Sequence, residues 1–247
     1  MEFALTCLIA AGLSGGFVNG LAGFGTGLFA LGWLLQVMPP QEAVAIVVAC
    51  SVLVSLPGVC KVRRHISLAR QARFLLPALL GMPLGTGLLQ LLDVHLLSML
   101  VATLMLVYGS YFSLRRDLPA IKGNWYSGDA GVGFLGGIMG GMAGLSGAVP
   151  SMWIALRPWS KGQQRAALQP FNVVILGIVG VLLWQDGVFD AAVTKAFLIV
   201  LPASLAGSLF GLWCFGKIPE GVYSRILIGL MFLSGAILLF HTIFSKV

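Results

Sequence analysis

The sequence predicts an all-α integral membrane protein made of two inverted repeats, each a glycine-rich broken helix or hairpin followed by three transmembrane helices. Three observations predict it: a run of long uncharged apolar stretches, a pair of glycine-dense segments that echo each other, and a lopsided distribution of lysine and arginine. Of the 247 residues 58% are hydrophobic and only 9% charged, whereas a soluble domain carries roughly 25% charged residues. That much apolar surface cannot be hidden inside a chain of this length in water. A bilayer core of about 30 Å needs about 20 apolar residues per helix. Six stretches meet this: Ala43–Cys60, Phe74–Leu92, Leu96–Leu114, Ala166–Trp184, Ala196–Phe215 and Val222–Phe244, with Arg225 as their one charge.

Taken in chain order, the first segment, Phe3–Val37, is uncharged and too long for one ordinary helix. Its counterpart Ala130–Leu156 shares both properties, and residues 12–32 and 131–147 together hold 16 of the 33 glycines. Gly12, Gly16 and Gly20 recur every fourth residue, as do Gly133, Gly137 and Gly141 farther along. In the same register Gly15 meets Gly136, Ala22 meets Ala143 and Gly23 meets Gly144. Leu76-Pro77-Ala78 then matches Leu201-Pro202-Ala203, and Leu104-Met105 with Gly109 matches Leu230-Met231 with Gly235. Small residues, prolines and spans thus recur in the same order and at nearly the same spacing in both halves. The expected repeats are 1–118 and 125–247, joined by a cytoplasmic linker at 119–124. Such four-residue glycine spacing serves close helix contact as readily as ligand approach.

Orientation follows from the basic residues. If each glycine segment enters and leaves on one side, 13 of the 15 Lys and Arg fall in cytoplasmic loops, leaving Lys195 and Lys246 outside. If each crosses once, the split falls to 10 against 5. The positive-inside rule selects the first arrangement, with both termini outside and the second half upside down relative to the first. Inverted repeats with broken helices are a common build of secondary transporters. The net charge of +7 therefore reads as membrane orientation, and nucleic acid is not an expected partner. The N-terminus lacks the positive n-region of a cleaved signal peptide, so the first segment is expected to stay. Cys7, Cys50, Cys60 and Cys214 make no CxxC pair or zinc spacing and read as small apolar residues, so no metal or cofactor is expected.

Polar side chains at bilayer depth are costly and point to function or to helix pairing. Asn19 and Thr26 lie in the first glycine segment and Ser146 and Ser151 in the second; Ser51 and Ser55 sit on the span that follows the first. Arg165, Gln169 and Asn172, spaced i, i+4, i+7, share one face of the corresponding span in the second half. A guanidinium followed by two amides deeper in suits an anion path, because all three donate hydrogen bonds and none is a carboxylate. Equally, Arg165 could anchor the span end while the amides tie helices together. Glu42, Asp93, Asp129, Asp186, Asp190 and Glu220 all fall at segment ends or in loops, which disfavours a cation substrate or a carboxylate proton relay. Glycine-exposed N–H groups and half-helix N-termini can hold an anion without a charged ligand. The candidate binding set is Asn19, Gly23, Thr26, Ser51, Gly144, Ser146, Arg165, Gln169 and Asn172.

These patterns resemble the TauE/SafE sulfite exporter family. The residues that carry the resemblance are Gly15-Gly16…Gly20-Leu21-Ala22-Gly23-Phe24-Gly25, its echo Gly136-Gly137…Gly141-Met142-Ala143-Gly144-Leu145-Ser146, Arg165-Ala166 with Asn172, and Leu76-Pro77…Gly81…Gly85 with Leu201-Pro202…Gly207…Gly211. Arg64-His65-Ile66-Ser67 departs from the glycine-containing basic loop of relatives. The resemblance implies a multi-pass protein of the bacterial inner membrane that exports sulfite, a sulfonate or a related organosulfur anion. Two other classes share some features. Gly12-Leu13-Ser14-Gly15 and Gly144-Leu145-Ser146-Gly147 match the Gly-x-Ser-Gly of intramembrane serine proteases, which also need a histidine base; His65 and His95 lie in loops, leaving His241. A passive anion channel would carry the same polar residues as a carrier, and a homodimer is compatible with the sequence.

Overall fold

The computed structural model describes residues 2–91 and 125–244, with isolated positions between 95 and 123. Most of the expected span Leu96–Leu114 and of the linker at 119–124 therefore lies outside the described residues. Among those described the chain is helical throughout, without strands. α1 (Glu2–Ala22) is followed by the half-length α2 (Thr26–Leu34), then α3 (Pro40–Val62), a single 3₁₀ turn at Arg63–His65, and α4 (Leu68–Leu91). The second series opens with α5 (Tyr126–Ala143) and the half-length α6 (Ala148–Ala155). It continues through α7 (Lys161–Gln185), α8 (Ala191–Lys217) and α9 (Glu220–Phe244). α1, α3, α4, α7 and α8 are each long and apolar enough to span a bilayer, and α9 matches the expected span Val222–Phe244. The chain is a multi-pass, all-α membrane protein.

Both glycine segments are helical hairpins. The first breaks at Gly23-Phe24-Gly25, where Gly23 (φ +85°) and Gly25 (φ +101°) occupy the left-handed region. The second breaks after Ala143, with Gly144 at φ +66°. A side chain would cost roughly 1–2 kcal/mol of backbone strain at such a position, so glycine is required for the chain to reverse there. Past the break α2 folds back on α1, with Gly15 against Thr26 and Ala30. Likewise α6 folds back on α5, with Gly136 against Ser146 and Pro150. The two tips then meet: Gly27 lies against Leu145 and the Gly144 carbonyl, and Gly147 against Phe24.

The four-residue glycine spacing serves helix contact. Gly12, Gly16 and Gly20 press on the backbone of α8 at Val200, Ser204 and Ser208, so α1 and α8 run parallel. Gly133, Gly137 and Gly141 do the same on α4 at Phe74, Ala78 and Met82. The partner helices return the contact through their own glycines, Gly207 and Gly211 on Leu13 and Phe17, and Gly81 and Gly85 on Phe134 and Ile138. In a bilayer, lipid tails are as apolar as leucine, so close van der Waals contact between small residues drives this pairing. The large side chains point the other way: Leu76, Leu80 and Leu84 on α4, and Leu198, Leu209 and Phe210 on α8, are exposed on the outer surface. At the centre α3 and α7 run antiparallel, Gly58 against Gln169 and Gly180 against Val48.

Prolines lie inside four of these helices, and near two of them a side chain from a neighbouring helix bonds a backbone carbonyl. Pro170 cannot donate to the Ala166 carbonyl one turn before it. Gln71 Nε2 of α4 donates there instead at 2.7 Å, and also to Ala167 at 3.1 Å. Near Pro57 of α3, the Val54 carbonyl accepts from Ser208 Oγ at 2.9 Å. At the base of the second hairpin, Arg157 and Asp129 form an ion pair at 2.7 Å, 3% exposed on each side. Trp153 Nε1 donates to the same carboxylate at 2.7 Å, so the end of α6 is locked to the start of α5.

Candidate functional site

The break in α1 leaves its last carbonyls without helical partners, and side chains of the second half cover them one by one. Arg165 Nη1 donates to the Leu21 carbonyl at 3.0 Å. Tyr223 Oη donates to Ala22 at 2.9 Å, and Asn172 Nδ2 to Gly23 at 3.1 Å. A helix C-terminus carries partial negative charge, which is why a guanidinium rests there without a carboxylate partner among the described residues. Arg165 is 0% exposed. Its Nε donates to Gln169 Oε1 at 2.9 Å, and Gln169 Nε2 reaches the Ser55 carbonyl of α3 at 3.4 Å. Arg165 is thus a buried brace on the broken helix end, where an anchor at the membrane surface was one expectation from its position at the span start.

Between the two hairpin tips lies a small cavity lined by Asn19, Phe24, Gly25, Leu28, Ser51, Gly144, Leu145, Ser146, Gly147, Ala148, Asn172 and Leu176. Five of the expected binding residues, Asn19, Ser51, Gly144, Ser146 and Asn172, meet on its wall. Thr26 lies just behind it and accepts a hydrogen bond from Asn19 Nδ2 at 3.0 Å, while Asn19 Oδ1 accepts from Ser55 Oγ at 3.2 Å. Ser146 Oγ donates to Asn172 Oδ1 at 2.7 Å. Gly23 borders the other side of the tip, close against Gln169 and Arg165. Arg165, Gln169 and Gly23 therefore form a second layer on the side toward Lys161, outside the cavity wall.

Two features around the cavity escaped the sequence, the convergence of the two half-helix starts on it and the place of Tyr223 beside it. α2 begins at Thr26 and α6 at Ala148, each capped by a glycine with no side-chain cap. Gly25 and Leu28 from one, and Gly147 and Ala148 from the other, face the same cavity. The positive ends of two half-helices thus converge on one point, and in α6 the Ala148 N–H already bonds the Leu145 carbonyl at 3.0 Å. Tyr223, in turn, gave no signal as a lone tyrosine on an apolar span, because its partner is 201 residues away. No lining residue is a carboxylate or a lysine. The cavity has about 10 Å³ of water-accessible space, close to the minimum for a single water molecule.

The serines of the Gly-x-Ser-Gly motifs have other duties. Ser146 donates to an amide oxygen, which is no base, and Ser14 Oγ bonds back to the Ala10 carbonyl of its own helix at 2.6 Å. The side chain of His241 lies outside the described residues.

No curated protein and no solved structure matches this chain. A family model does, the one described as "Sulfite exporter TauE/SafE", over residues 8–238. That match spans both glycine hairpins and the helices that close the cavity between them, so the chain belongs to the sulfite exporter TauE/SafE family, a family of membrane transporters.

Proposed function

We propose that this protein carries a small oxyanion, sulfite or an organosulfonate-like compound, out across the bacterial inner membrane. Binding takes place between the tips of the two hairpins, and transport proceeds by alternating access at the interface of two inverted repeats. The observation that carries the reading is the convergence of the N-termini of α2 and α6 on one cavity whose side-chain polar groups are amides and hydroxyls. Oriented N–H groups at helix starts favour negative charge, and neutral donors replace a hydration shell without a competing carboxylate. Discontinuous helices that aim their N-termini at an anionic group near the midplane are a recurrent transporter device.

The pairing of elements supports the inverted arrangement. α1 packs in parallel on α8, and the matching elements α5 and α4 pack in parallel on each other, while the equivalent α3 and α7 cross antiparallel. A rotation that exchanges α3 with α7 must then lie in the membrane plane. The tight cavity supports a carrier over a passive channel, because an oxyanion enters only if the tips part. The test is sulfite counterflow in proteoliposomes holding the whole chain. Saturable exchange of labelled for unlabelled sulfite is expected, abolished by Asn172→Asp. Flux that rises linearly with concentration, without exchange, would replace the carrier with a channel.

A further inference from the structure

Phe215 of α8 stands at a place that the central cavity does not use. Its ring is buried, and three cations approach it. The Arg165 guanidinium carbon lies 4.4 Å from the ring centroid, Lys161 Nζ 5.2 Å and Lys61 Nζ 5.9 Å. The two lysines also hold the C-terminal end of α8, Lys61 bonding the Leu212 carbonyl at 3.3 Å and Lys161 those of Ile218 at 2.6 Å and Phe215 at 3.4 Å. Lys61 is exposed, Lys161 half-buried and Arg165 fully buried. The ring therefore sits where exposed positive charge gives way to buried positive charge.

Arg165 has an unmet need behind that ring. Nε and Nη1 are bonded, but Nη2 is buried with no hydrogen-bond partner. A buried charged donor left unpaired is costly, and the chemistry that satisfies a guanidinium edge is an oxyanion. Lys161, Arg165, Gln169 and Asn172 follow one face of α7, and at 1.5 Å per residue Arg165 stands about 10 Å from Asn172 along the helix. The face leads from the exposed end of α7 to the central cavity.

We infer that Phe215 is a gate over a second anion subsite on Arg165, a station between the Lys61/Lys161 entrance and the cavity. This rests on the anion-path reading above and adds to it the order of events on the entry side. The ring stacks on the guanidinium when the path is closed; when it swings aside, Nη2 receives the oxyanion. Tyr223 fixes the closed position, its ring edge-on to Phe215 at 5.3 Å while its hydroxyl holds the broken end of α1. Movement of the hairpin tip is thereby felt at the gate.

The test uses the full-length chain in detergent, with exposed Cys60 and half-exposed Cys214 replaced by serine and a reporter thiol introduced as Gln169→Cys, one turn beyond Arg165. Labelling is followed with a methanethiosulfonate reagent bearing a sulfonate and with its trimethylammonium counterpart. Phe215→Ala is expected to speed the sulfonate reagent at least tenfold and the cationic one far less. Adding Arg165→Gln should erase that preference. Phe215→Trp, which keeps a ring, should label as slowly as the parent, and elution volume on size exclusion controls for folding. Equal acceleration of both reagents, or none in well-folded Phe215→Ala, overturns the gate and its subsite. Labelling requires no transport, so a failed gate is told apart from a failed substrate reading, which sulfite counterflow reports.

Discussion

Asn172 is the residue at which a binding role and a bracing role give different outcomes for the sulfite affinity of two variants. Its Nδ2 holds the Gly23 carbonyl at 3.1 Å, its Oδ1 accepts from Ser146 at 2.7 Å, and it lines the cavity. Asn172→Leu removes both bonds. In membrane proteins each such bond is worth on average about 0.6 kcal/mol, so the fold should lose only ~1 kcal/mol. An amide that bonds a bound anion contributes ~1.5–3 kcal/mol, so sulfite affinity should fall roughly ten- to hundredfold. Asn172→Asp nearly preserves shape and keeps the acceptor for Ser146, but it loses the donor to Gly23 and sets an oxygen against that carbonyl. If Asn172 only braces the tip, both variants therefore lower the amount of folded protein and leave the sulfite affinity of what folds unchanged. If an anion sits in the cavity, an ionised Asp repels it by ~4 kcal/mol at 4 Å and an effective dielectric of 20, and Asp becomes the harsher one. Sulfite affinity from half-saturation of counterflow, with folded protein quantified by size exclusion, gives the ranking. Leu harsher than Asp, or unchanged affinity in both, would refute the cavity as the site.

Other consequences follow from the same geometry. Gly23→Leu combines left-handed strain with a clash on Gln169 and Arg165 and should abolish exchange; Gly23→Ala, whose added carbon would lie 3.0 Å from Gln169 Cγ, should retain part of it. Normal exchange in Gly23→Leu would remove the hairpin tip from the mechanism. Arg157→Met leaves Asp129 buried and unpaired, and breaking a buried pair costs about 3–5 kcal/mol; a large fall in detergent melting temperature is expected, partly restored by adding Asp129→Leu. Arg165→Gln should reduce transport by a factor that changes little with salt, since a fully buried charge is only weakly screened; a loss that disappears at high salt would place the side chain at the surface. A cytoplasm-active reporter fused to Val247 should stay silent; strong activity would overturn the inverted arrangement.

The membrane class, the hairpin breaks and the family were legible in the residues themselves because each depends on local chemistry. Apolar run length reports bilayer thickness whatever the packing, and glycine marks the positions where a chain must take positive φ or let two backbones touch. The candidate polar set was legible for a similar reason, since a polar group inside lipid needs a partner and so announces itself. Its division of labour was not. Arg165, Gln169 and Asn172 share a face, yet only Asn172 reaches the cavity, while Arg165 braces the cut end of α1 from 144 residues away. Nor could spacing reveal that the starts of α2 and α6 point at one spot, or that Phe215 and Tyr223 stand between the Lys61, Lys161 and Arg165 side chains and the hairpin tip. Local sequence determines which carbonyls and N–H groups a break sets free; only the tertiary fold decides which distant side chain, or which substrate, satisfies them.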